Sequence, residues 1–450
     1  MPRRQLPSKL LSLLLFAVCH VLAGCHGPAQ FARPCSGTAK NSPASTQPSD
    51  LLAAPFVDYL ADSPAPPYHR QFNTLADYML DVDSQARPQP DAKYQVLDSI
   101  FADAKKRIVW NPAETDLAKR RAAALAALRT IDRILLEHNV IYPPTGDIDT
   151  MGEGLDPHIL NREDIMGAFA HNSKAFHEWF PDHRAEPFYY MDCDILTFVY
   201  LSIGEVTGIP LHSVSAPDHA FVRFYLSPRD SAAATPDPAQ PHLDWEATTG
   251  QESTDQRYLK EFDIPAWSIR QRAYMADMTP RQILGYYLSC RATWEAALTP
   301  PLNTAAALDN HRAIDLYPEC EIPRNNLAWL YVSVPGIRDC TKDETLQLAL
   351  SAMAILPTDS AITDTVACAY AEVGDFDLAI SFENDAIRLN DLDKSGVTDT
   401  AAIHKDLAAR LGLFKDHKTY LESLAATEPA APVGNSSQKQ PGAGSQKLGE

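Results

Sequence analysis

Met191-Asp192-Cys193-Asp194-Ile195-Leu196-Thr197-Phe198-Val199-Tyr200-Leu201 is the stretch whose reading decides the fold. Asp194 to Val206 carries apolar residues at 195, 198, 199, 201 and 203, a helical spacing, and Gly208-Ile209-Pro210 ends it. Two strands are expected next, Leu211 to Ser215 and Ala220 to Leu226, the second rich in aromatic and β-branched residues. Residues 227–241, with their Pro, Ala, Asp and Ser, read as a surface loop leading to a strand at His242 to Ala247. The helix opens on a cysteine, the second strand on His219, and the last strand holds two acids, Asp244 and Glu246.

Cysteine, histidine and acid in this order are the parts of a thiol nucleophile. A free thiol with a pKa of ~8.5 is mostly protonated at neutral pH. The positive end of a helix dipole and a neighbouring imidazole both favour the thiolate. An acid then fixes the imidazole's tautomer and orientation. Taken singly, a cysteine at a helix start is more often packing, and a histidine at a strand start more often a surface residue. It is the agreement of order, spacing and element type that carries the reading. Asp244 and Glu246, two apart on one strand, face the same side, so both compete for the acid's role. His183, His212 and His242 are rival bases, while Cys290 and Cys368 sit in helical segments as packing residues. A metal centre built on His212, His219 and Asp218 lacks a helical pair such as H-E-x-x-H, and neither metal nor cofactor is expected.

From Phe188 to Gly250 the chain resembles the transglutaminase-like superfamily of papain-fold cysteine enzymes. The resemblance rests on Cys193 with its apolar helix ending in Gly208-Ile209-Pro210, on His219-Ala220-Phe221-Val222-Arg223, and on Trp245-Glu246-Ala247-Thr248. It implies that Cys193 attacks an amide carbonyl, that His219 shuttles the proton, and that Glu246 or Asp244 is the acid. Glu246 is favoured because Glu246-Ala247-Thr248 resembles an acid-Pro-Thr ending of that family. The family's usual aspartate is replaced or displaced here. Asp192 and Asp194 flank the thiol, and their charge opposes the helix dipole. An oxyanion hole is expected from the Cys193 N–H and an upstream donor, with Tyr189 and Tyr190 as candidates.

The N-terminus reads as a secretory signal, with Arg3, Arg4 and Lys9 preceding an uncharged apolar run from Leu10 to Leu22. That run is too short for a bilayer core of ~30 Å. Its end, Leu22-Ala23-Gly24-Cys25, resembles the lipobox of bacterial lipoproteins, which implies cleavage before a lipidated Cys25. His26 stands where an aspartate would suggest inner-membrane retention, so the expectation is a lipid-anchored envelope protein of the outer membrane. Of eight cysteines, six remain beyond Cys19 and Cys25, without a C-x-x-C pair, and Cys320 with Cys340 is a candidate disulfide. A net charge of −19 argues against a nucleic-acid partner, since phosphate binding needs clustered Lys and Arg.

Residues 91–140 read as helical, with Leu125, Leu128, Ile131, Ile134 and Leu135 recurring at three- and four-residue steps, and 147–187 show no clear period. Helices are expected again at 256–263 and 279–297. Beyond 300, Ala313-Ile314-Asp315-Leu316-Tyr317-Pro318, Ala352-Met353-Ala354-Ile355-Leu356-Pro357 and Ala386-Ile387-Arg388-Leu389-Asn390-Asp391 echo one another. The last two stand 34 residues apart, the tetratricopeptide period, with a capping helix expected at 400–413. The expected organisation is a signal peptide (1–24), a lipid-anchored flexible linker (25–66), a transglutaminase-like domain (67–298), tetratricopeptide-like repeats (299–415) and a disordered tail (416–450). The fold class is α+β, a papain-like core of N-terminal helices plus antiparallel sheet followed by an all-α repeat domain. Functionally this is an exported cysteine hydrolase or acyltransferase whose repeats recruit a protein partner. The alternative is a catalytically inactive envelope scaffold that works by protein binding.

Overall fold

The computed structural model describes residues 48–61, 68–143, 148–160, 168, 172, 174–183, 187–217, 219–227, 240–392 and 400–427. The expected signal peptide, Cys25, the linker up to residue 47, Asp218 and residues 428–450 lie outside them. The fold is mixed α+β and mainly helical, with two small sheets. No described helix is long and apolar enough to cross a membrane.

The helix Cys193–Thr207 is the centre of the larger core. Asp192 caps it, its carboxylate accepting the backbone N–H of Asp194 and Ile195 at 3.2 Å each. Gly208 stops it in the left-handed region at φ 78°, which a Cβ would disfavour. Residues 195–204 are all buried, so this helix is surrounded rather than amphipathic. The helices Leu75–Ser84 and Asp91–Arg107 pack on one side of it, and β4 (Leu211–Ala216) and β5 (His219–Tyr225) on the other. β6 (His242–Glu246) and β7 (Gln251–Ser253) complete an antiparallel meander in the order β4-β5-β6-β7. The free edge of β4 is covered by residues 275–278, whose Met275 and Met278 N–H groups reach Ser215 and Ser213 carbonyls at 2.9 and 2.8 Å. The segment 147–187, aperiodic in sequence, contributes β2 (Pro157–His158). It pairs antiparallel with β3 (Phe188–Tyr190), which β1 (Val140–Ile141) flanks in parallel.

The expected run 91–140 is broken in two: Asp91–Arg107 ends at Ile108, and Asp116 caps a new helix, Leu117–Glu137, through the N–H groups of Ala118 and Lys119. Beyond it, Pro280–Ala297 pairs with Asn303–Leu316, Ile322–Ser333 with Lys342–Ile355, and Ser360–Val373 with Phe376–Leu392, each helix packing on the next. Thr400–Lys415, where a helix was expected at 400–413, packs on Phe376–Leu392.

Three boundaries differ from expectation. The described residues form one compact unit, and Tyr317 and Cys320 lie in the same core as Tyr287 and Phe198, across the boundary expected at 298/299. The Tyr317 hydroxyl ties the hairpin to the sheet region through Ser215 (3.2 Å) and the Ala273 carbonyl (3.1 Å). The expected linker contains the helix Pro48–Tyr59, anchored by a fully buried Phe56 and by Tyr59, whose hydroxyl accepts from Arg291 and Arg312 at 2.9 and 3.0 Å. Part of the expected tail folds as Tyr420–Thr427 against Ile322–Ser333, with the Tyr420 ring stacked on Trp329 at 5.7 Å. In each case a few aromatic side chains inside a polar, Ala-rich stretch supply the anchor that average composition hides.

Candidate active site

Cys193 opens the central helix with its side chain buried. The thiol donates to Asp194 Oδ1 at 3.5 Å and receives the backbone N–H of Ala220, the second residue of β5. Thr197, one turn further on, donates to the Ala220 carbonyl at 3.3 Å, so both peptide faces of Ala220 are tied to this helix. His219, next to Ala220, is thereby held beside the helix start. Its Nε2 meets Glu246 Oε2 at 2.8 Å. Nδ1 makes no hydrogen bond among the described residues.

Glu246 is fixed from several sides. Thr248 donates its hydroxyl (2.7 Å) and N–H (3.2 Å) to Oε1, and the Tyr258 hydroxyl donates to Oε2 at 3.1 Å. Burial alone would raise its pKa, but the hydrogen bond and charge of His219 bring it down to about 2. His219 shows the reciprocal balance: burial works against the charged ring, and Glu246 outweighs it, so the pKa lies above the usual imidazole value. The pair is an imidazolium–carboxylate ion pair in a site only 12 % and 5 % exposed. The Tyr258 and Phe262 rings flank the imidazole at 5.7 and 5.3 Å.

The competition between the two acids is thus decided by contacts. Asp244 accepts Arg223 Nε at 2.8 Å and makes no hydrogen bond to His219; Arg223 also reaches Asp255. The shorter Asp244, paired across the ladder with Arg223, neutralises a buried guanidinium instead. The rival bases are engaged elsewhere, His212 with Asp277 at 3.4 Å, His242 with Asp255 at 3.3 Å, and His183 with the Trp179 carbonyl at 2.8 Å. His212 and His219 therefore have different carboxylate partners, and Asp218, the third ligand considered from sequence, lies outside the described residues.

The thiol itself is not acidified. Burial pushes the Cys193 pKa well up, and the carboxylates of Asp194 and Asp192 push it further. Asp192 is half-buried, and its own pKa is raised by desolvation and by Asp194. Tyr286, from the helix Pro280–Ala297, donates its hydroxyl to Asp194 Oδ2 at 2.6 Å. Burial and then Asp194 keep that phenol protonated. It is the tyrosine that reaches the thiol's surroundings, and no sequence signal pointed to it. Tyr189 and Tyr190, named as oxyanion candidates, lie on β3, where the Tyr190 ring stacks on His158 at 4.2 Å.

Among the described residues, two donor sets lie close enough to share an ion, Asp192–Cys193–Asp194 and His242–Asp244–Asp255. The second already receives the Arg223 guanidinium, which supplies the positive charge. Cys320 and Cys340 are both free thiols, so the expected disulfide is not formed. Cys368 lies buried within its helix, and Cys290 is partly buried against the main core. Comparison of the chain with protein-family models, curated proteins and solved structures finds no match.

Proposed function

We propose that the protein is a thiol acyl-transfer enzyme acting on amide bonds, with Cys193 as nucleophile, His219 as general base and acid, and Glu246 as the residue that orients His219. One observation carries the reading: a His219–Glu246 pair at 2.8 Å whose neighbour Ala220 presents its N–H to the Cys193 sulfur. Glu246 occupies Nε2, which leaves Nδ1 to take the thiol proton. The thiolate adds to the amide carbonyl carbon, and the carbonyl π pair moves to oxygen. Collapse of this tetrahedral species expels the amine, which takes its proton from His219, and leaves a thioester on Cys193. Water or an amine then adds to the thioester and releases the thiol, giving hydrolysis or transfer. The raised thiol pKa keeps Cys193 protonated and Glu246 favours the imidazolium, so the working base is the fraction of His219 that has lost its proton, with proton transfer coupled to attack.

The transglutaminase-like resemblance, the tetratricopeptide-like character of the helix pairs and the lipid-anchored envelope location belong to this proposal. So do a peptide or protein substrate and a protein partner at the helix pairs. The second reading, a scaffold that has lost catalysis, is favoured by the raised thiol pKa.

Incubation of the full chain with p-nitrophenyl acetate, followed by intact mass and peptide mapping, tests the choice. An acetyl group on Cys193 that disappears in Cys193→Ala and forms at least tenfold more slowly in His219→Ala supports the enzyme, a factor within the usual span for a general base of ~10²–10⁴. Acetylation of Cys193 no faster than of Cys340 supports the scaffold.

A further inference from the structure

The helices Asp91–Arg107 and Leu117–Glu137 pack as a hairpin whose tip is residues 108–116. Its charge runs against that of the molecule. The chain carries a net charge of −19, yet the stretch from Lys105 to Arg121 holds six basic residues and two acidic ones. Arg107 and Arg121 are engaged with Glu137 and Glu252, and Arg120 is buried. Lys105, Lys106 and Lys119 are exposed and form no ion pair among the described residues. The two acids serve the turn itself. Glu114 accepts the Asp116 N–H at 2.9 Å, and Asp116 accepts those of Ala118 and Lys119 at 3.0 Å each.

Between these lysines an aliphatic side chain is held out in water. Ile108 is extended, at φ −92° and ψ 123°, so successive side chains alternate in direction. Ile108 is buried, and Trp110 turns back on the sheet, edge-on to Phe224 at 5.3 Å with the Arg120 guanidinium 5.0 Å over its ring. Val109 therefore points outward and is 89 % exposed, and Leu117, at the other end of the turn, is 48 % exposed. Asn111 Oδ1 fixes the turn by accepting the Ala113 N–H at 3.1 Å. A built turn that keeps aliphatic groups in water between free ammonium groups is complementary to anionic headgroups above hydrocarbon. The same tip falls short of the ~20–30 residues that a stable protein interface takes from each side.

We infer that residues 105–119 form a membrane-contact site for anionic phospholipid, with Val109 and Leu117 entering the headgroup layer and Lys105, Lys106 and Lys119 meeting lipid phosphates. The negative charge of the rest of the chain is repelled by such a surface, so the tip sets which face of the protein approaches it. The contact is independent of the thiol chemistry and of the proposed lipid anchor.

The test is hydrogen–deuterium exchange of the full chain mixed with vesicles of phosphatidylglycerol or of phosphatidylcholine, read in peptides covering 105–119. Slower exchange at the tip with phosphatidylglycerol, and unchanged exchange with phosphatidylcholine, is the expected result. The protection should fade at 1 M salt, where the screening length drops to ~3 Å. Lys106→Gln and Lys119→Gln should each raise the lipid concentration for half-protection about fivefold, the contribution of one lysine near an anionic surface. Val109→Ser should raise it by up to about tenfold. All three positions are exposed, so the fold is kept. Equal protection by the two lipids, or protection indifferent to the three substitutions, overturns the inference. Unchanged exchange with both lipids overturns it too and leaves a protein as the tip's partner.

Discussion

At the scale of single residues, charge decides what Cys193 can do. Its thiol is opposed by burial and by two flanking carboxylates, so removal of either charge makes it more acidic. Asp194→Asn is expected to speed iodoacetamide alkylation of Cys193 at pH 7 about tenfold, the effect of one pH unit, read by peptide mapping. The His219–Glu246 pair has a pH signature of opposite limbs. Glu246, depressed to about 2, contributes stability that is present above the unfolded carboxylate value of ~4.3 and is lost as pH falls through about 2. His219, raised, contributes stability that is full below its unfolded value of ~6.5 and is lost as pH rises through its folded value. Urea midpoints for wild type minus Glu246→Gln should therefore show their largest gap between roughly pH 4.3 and 6.5. A gap that is flat with pH would exclude the ion pair. Sequence order was enough to nominate Cys193, His219 and Glu246. It did not reveal Tyr286, which comes from a helix far along the chain with no motif around it.

At the scale of elements, the cysteine helix combines two demands on Asp192. Its carboxylate caps the first N–H groups, and the same charge disfavours the thiolate. Asp192→Ser keeps a capping oxygen and removes the charge. It should hold stability within about 0.5 kcal/mol of wild type while making Cys193 more reactive. Asp192→Ala should lose about 1 kcal/mol in denaturant titrations. Loss of stability that is equal in the two variants would show that the cap contributes nothing. The helix 193–207, strands β4 to β6 and the helices after 280 were legible because their apolar periods run unbroken between strong stop signals. The small sheet β1-β3-β2 was not, since strands of two or three residues are too short to show alternation.

At the scale of the whole molecule, the helix pairs and the sheet share one core. Cys320 and Tyr317 lie in it beside residues of the cysteine helix, and Ser268 donates to the Ile355 carbonyl at 3.0 Å. The chain cut after Ala297 should therefore lose its cooperative thermal transition, as followed by near-ultraviolet circular dichroism. A sharp transition retained in residues 46–297 would restore the boundary expected from sequence. Repeat spacing shows where a pattern begins and says nothing about what its first helix pair packs against.

The central claim is that Cys193, His219 and Glu246 act as one coupled unit. It is tested most directly by the pH dependence of Cys193 alkylation by iodoacetamide in wild type and His219→Ala. Coupling requires a wild-type profile with an inflection above pH ~6.5, where the raised imidazole loses its proton and becomes the base, and loss of that inflection in the variant. Superimposable profiles would contradict the account and leave Cys193 as a buried thiol beside an unrelated ion pair.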